Sequence, residues 1–93
     1  MKIVINKCFG GFEFSKKAEE LLLSKGVETR NIYFYSPALR VHPAVIEVVE
    51  KLGAEANGEC ANLQIIEIPD DIDWVIYDTD GREWVAEKHR IWK

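Results

Sequence analysis

Residues 2–26 read KIVINKCFGGFEFSKKAEELLLSKG, and their order decides how the rest of the chain folds. Ile3, Val4 and Ile5 are consecutive β-branched residues, which predicts a buried strand over about Lys2–Asn6. Gly10 and Gly11 follow as a loop in which the backbone can turn sharply or come close to a ligand. Ser15 is suited to cap the helix that comes next, because its hydroxyl can accept from an orphan backbone donor. Ala18, Leu21, Leu22 and Lys25 then share one helical face, with Phe14 just ahead of it. Gly26 is placed to end the helix in a left-handed conformation. A strand feeding a helix through a glycine loop is a common place for a binding site, and also a common structural unit that binds nothing.

Working outward, Asn31–Tyr35 (NIYFY) is aromatic and β-branched and predicts a second strand, ended by Ser36-Pro37. Pro43 suits the first turn of a second helix, along which Val45, Val48, Val49 and Leu52 recur until Gly53. Residues 54–62 read as a loop and Leu63–Ile68 as a strand broken by Pro69. Asp73–Tyr77 and Arg82–Ala86 predict two more strands joined by the turn signal DTDG. The order β-α-β-α-β-β-β predicts a two-layer α+β sandwich, with a mixed five-stranded sheet, two helices and a C-terminal antiparallel meander. The embedded Trp92 predicts that the charged tail EKHRIWK docks on the body.

At 93 residues the chain reads as a single domain, 1–93. It is 47% hydrophobic and 30% charged, a balance that supports a packed core and excludes a disordered chain. Its formal net charge of −4 argues against non-specific nucleic-acid binding, which needs a basic surface. The longest apolar runs are far too short to span a bilayer, and no secretory leader pattern opens the chain. A cytoplasmic setting is therefore the expectation, with Cys8 and Cys60 as reduced thiols.

Three clusters carry chemistry that a ligand could use. Lys7, Gly10 and Gly11 lie ahead of a helix opened by two lysines, Lys16 and Lys17, where the helix dipole disfavours positive charge. Neither a Walker loop nor a dinucleotide fingerprint is present there, and a tight turn is the plainer account. Arg40 and His42 precede the second helix, and offer a planar fork for an anion and a group that titrates near neutrality. The plainer account is that His42 caps the helix while Arg40 pairs with a surface carboxylate. His89 and Arg90 sit in the tail. A docked tail would let Lys7, Gly10, Gly11, Arg40, His42, His89 and Arg90 line one anion pocket, and a solvated tail would not. No cofactor is expected. Cys8, Cys60, His42 and His89 lack the paired spacing of a structural zinc site, so no metal is expected either. A Cys8–His42 or Cys8–His89 nucleophile pair trails behind simple burial of Cys8, and no catalytic residue is assigned. Aromatics make up 11% of the chain, and NIYFY cannot turn every ring toward one core. If the sheet is open on one side, some rings form an exposed patch for a partner or for self-association.

The opening MKIVINKCFGGFEFS and the stretch from VVEKLG through IEIPDDI to EKHRIW resemble a group of short uncharacterised proteins of tailed bacteriophages and prophages. The resemblance runs over nearly the whole chain. It implies a small accessory protein in the bacterial host cell, one that binds a host or phage protein. A binding module of this type is the leading expectation. A binder of a phosphorylated or nucleotide-like anion is the alternative, and a homo-oligomer is compatible with either.

Overall fold

The computed structural model describes residues 1–29 and 36–87. Strand β1 (Lys2–Asn6) pairs antiparallel with β2 (Leu63–Glu67), with Ile3 opposite Ile66 and Ile5 opposite Gln64. Strands β3 (Trp74–Thr79) and β4 (Arg82–Glu87) form a separate antiparallel hairpin. The helices are α1 (Lys16–Ser24), α2 (Pro37–Arg40) and α3 (Pro43–Leu52), and a 3-10 turn at Gly53–Ala56 follows α3 directly.

Among the described residues the mixed five-stranded sheet is therefore corrected to two separate two-stranded antiparallel sheets, with three helices instead of two. The physical reason lies at the second edge of β1. Alternate residues of a strand offer their backbone groups to opposite edges. The ladder toward β2 continues outward through Met1 O with Ile68 N–H (2.9 Å) and Lys7 N–H with Asn62 O (2.8 Å), so the odd positions face β2. Val4 and Asn6 look the other way. There Val4 O accepts from Arg40 at 3.2 Å, and Asn6 N–H donates to Glu83 at 2.8 Å. Two side chains thus occupy edge positions that a continuing sheet would use, and the hairpin packs beside β1 without joining its ladder. The expected meander fails for the same reason, because β2 turns to β1 and not to β3. The strand expected at 31–35 and the docked tail lie outside the described residues.

The local signals that set the helices behave as their chemistry requires. Ser15 Oγ accepts from Ala18 N–H at 3.1 Å and donates to Glu55 O at 2.6 Å, fixing the start of α1 against the 3-10 turn. Gly26 has φ 85°. It lets Val27 N–H reach Leu22 O at 2.9 Å and its own N–H reach Leu23 O at 3.0 Å, which satisfies the last carbonyls of α1. Pro37, read as a strand terminator, is instead the first residue of α2.

One core joins α1, α3, β1 and β2. Val4 and Leu63 face it from the strands, Ala18 and Leu22 from α1, and Val45 and Val48 from α3. Phe12 and Phe14 enter it from the glycine-loop side, edge to face at 5.1 Å. Ile3 and Ile5 point to the opposite face of β1 and are buried too, so β1 is covered on both sides.

Candidate functional site

Asn6, at the end of β1, organises the loops beside it. Its side chain is fully buried. Nδ2 donates to Cys8 O at 2.7 Å and to Gly81 O at 2.6 Å. Oδ1 accepts from Asn62 N–H at 2.8 Å and Cys8 N–H at 3.3 Å. A single amide therefore ties the glycine loop, the approach to β2 and the β3–β4 turn together, with both of its ends engaged. The turn itself is tight: Asp80 and Gly81 both have positive φ, and Asp78 caps Gly81 N–H at 3.0 Å. A Cβ on Gly81 would collide with the backbone nitrogens of Gly10 and Gly11. A Cβ on Gly10 would collide with Cys60. Gly10 thus allows close packing on Cys60, Gly81 allows the hairpin turn to approach the loop backbone, and Gly11 takes a φ of 109°, a conformation that favours glycine.

Beside this knot Arg40 and Glu83 form a fully buried, two-pronged ion pair. Arg40 Nη1 lies 2.6 Å from Glu83 Oε1 and Nη2 lies 2.7 Å from Oε2. The guanidinium also stands 3.8 Å over the centre of the Phe12 ring. Both carboxylate oxygens and the planar fork are matched, the geometry that a desolvated pair needs.

The hairpin held in this way turns a different surface outward. Tyr77 and Trp84 are cross-strand partners, stacked at 5.9 Å, and they remain 50% and 44% exposed. Phe9, in the glycine loop, is 61% exposed, with the Arg82 guanidinium 5.7 Å from its ring centre. Between Phe9 and the hairpin lies a cavity of about 380 Å³, lined by Lys7, Phe9, Thr79, Arg82, Glu83 and Trp84. This aromatic and cationic cleft is the candidate site.

The residues singled out from the sequence are divided by the fold. Lys7 lines the cleft, and Gly10 and Gly11 lie next to it under the hairpin turn. Arg40 is behind it, enclosed by Glu83 and Phe12. His42 caps α3, with Nδ1 accepting from Ala44 N–H at 3.1 Å, and it lines a different cavity beside Val27 and Leu39. His89 and Arg90 lie outside the described residues. Cys8 and Cys60 are free thiols, and Cys8 Sγ lies 3.8 Å from Phe9 O. Among the described residues no group of three or more His, Cys, Asp or Glu side chains is placed to hold a metal. Among them also no helix is long and apolar enough to cross a membrane. Sequence reading missed Asn6, Glu83 and Arg82. In REWVAE alternation puts Glu83 on the face opposite Trp84, which ordinary hydrophobicity reads as the solvent side, so the buried role of Glu83 carries no local signal.

No protein-family model matches the chain, and neither a curated protein nor a solved structure shows significant similarity to it.

Proposed function

We propose that this chain is a non-enzymatic binding module that docks a protein partner through the outer face of the β3–β4 hairpin and Phe9. The observation that carries this reading is the group of large exposed rings, Phe9, Tyr77 and Trp84, on a turn fixed by Asn6 and a strand fixed by Arg40 and Glu83. Exposed aromatics on a rigid support are what binding hot spots require, since little side-chain freedom is lost on contact. The resemblance of the opening and of the IEIPDDI and EKHRIW segments to short uncharacterised proteins of tailed bacteriophages and prophages is the basis for taking a host or phage protein in the bacterial cytoplasm as the partner.

A small phosphorylated or nucleotide-like anion is the second reading. It rests on Lys7 and Arg82, which line the cleft with no carboxylate within ion-pair distance among the described residues. It is weakened because Arg40 is committed to Glu83 and His42 lines another cavity.

A photo-crosslinking residue placed in turn at Phe9, Trp84 and the exposed Leu23 of α1 tests the leading reading in growing bacteria. One discrete protein adduct from Phe9 and Trp84, absent from Leu23 and lost with Tyr77→Ala, is the expected result. Adducts with a second copy of the chain would make the face a self-association surface. Equal adducts at all three positions, or none, would overturn the proposal.

A further inference from the structure

Four cavities differ in the charge they present. The cavity along α1 is lined by Lys16 with Glu19, Glu20 and Glu28, so carboxylates outnumber the cation. The cavity between α3 and β2 carries Glu50 as its charged group, and the one beside α2 carries Glu28 with His42. The hairpin cleft alone among these has an excess of cations: Lys7 and Arg82 line it, and its one carboxylate, Glu83, is already neutralised by Arg40. On a chain of net charge −4 this is a local reversal of sign. We infer that the cleft takes an acidic peptide segment that inserts one large apolar or aromatic side chain between Phe9 and Trp84.

The inference rests on the protein-docking reading and names the chemistry of the partner. The volume supports it. About 380 Å³ is at the small end for ligand pockets and suits one anchoring side chain with its flanking backbone. Arg82 is placed for both tasks, with its guanidinium near the Phe9 ring and its charge at the edge of the cleft. Lys7 supplies a second charge from the opposite strand end. Carboxylates on either side of the anchor would meet these cations, and the complementarity would steer association and set the register of the peptide. Two cations make a poor track for a nucleic-acid backbone, which is bound by a continuous basic surface.

The test is a fluorescence-anisotropy titration of the whole protein. The probes are a fluorophore-labelled short Asp/Glu-rich peptide with one central phenylalanine, the same labelled peptide with lysines for the acids, and labelled oligo(dT), with inorganic phosphate added as an unlabelled competitor. Binding of the acidic peptide is expected, weakened by added salt and roughly tenfold weaker for Arg82→Glu and Lys7→Glu. The lysine peptide should gain affinity for Arg82→Glu, a charge swap that a merely destabilised variant would not produce. Trp84→Ala should weaken the acidic peptide in either charge background. Preference of the unaltered protein for oligo(dT), for phosphate or for the lysine peptide would overturn the inference. So would an acidic peptide whose binding ignores Arg82→Glu. If the cross-linked partner is engaged at Phe9 and Trp84 through a neutral or basic segment, the docking reading stands and this inference falls.

Discussion

Arg40 is the one formally charged residue between Pro37 and Ile46, in the run PALRVHPAVI. A lone charge inside an apolar run is a signal of a buried partner, and here the partner is Glu83, 43 residues away. Glu83 performs two tasks: it neutralises the guanidinium and accepts Asn6 N–H. Glu83→Leu therefore strands a buried charge and a buried donor together, and it should cost about 3–5 kcal/mol of folding stability. Adding Arg40→Met removes the stranded charge and should recover part of that loss, leaving the Asn6 donor and the Val4 carbonyl without the partners they had. Urea unfolding of the single and double variants, compared at equal m-value, reads this directly. A double variant less stable than Glu83→Leu alone would show that Arg40 supports the fold by packing on Phe12 more than by its charge.

At the scale of elements, what could be read from the sequence divides along local and non-local lines. The helix ends were legible because each is written in a few adjacent residues: Ser15 and Gly26 for α1, His42 and Gly53 for α3. The hairpin was legible from DTDG. Strand partnership was not, because nothing near Leu63–Glu67 states that it pairs with residues some sixty positions earlier. The face of β4 was also hard to read, since Glu83 goes inward while Trp84 stays out, against ordinary hydrophobicity. For the site, Lys7 lines the cleft while Gly10 and Gly11 lie beside it, and the rings that shape the cleft come from the turn geometry. A further tie between elements joins β1 to α3, where Lys2 Nζ lies 3.0 Å from Glu50 Oε2. The hydrogen bond and charge of Glu50 hold the Lys2 ammonium above its ordinary value of 10.5. A raised folded value means that the contribution to stability is fully present below the unfolded lysine value. It is then lost as pH rises through the folded one. Melting temperatures measured across the alkaline range should fall less steeply for Lys2→Met than for the unaltered protein. Parallel curves would show that the pair, exposed as it is, adds nothing.

For the whole molecule, the consequence of two separate sheets is a hairpin that is held to the body largely by side chains. No backbone ladder joins β4 to β1 among the described residues; Arg40, Glu83 and the Asn6–Gly81 hydrogen bond bridge them. Such a unit can open below the free energy of global unfolding if its bridges weaken. Arg40→Lys is the discriminating change, because an ammonium cannot meet both carboxylate oxygens as the planar fork does. Native-state hydrogen exchange should then show the amides of β3 and β4 exchanging roughly tenfold or more faster, with those of β1 and β2 changed less. The same variant should bind the acidic peptide more weakly although every residue of the cleft surface is intact, because Phe9 and Trp84 keep their spacing only while the hairpin is seated. Equal acceleration of all four strands would mean that the hairpin and the core unfold as one unit. The ion pair would then stabilise the molecule as a whole without positioning its binding face.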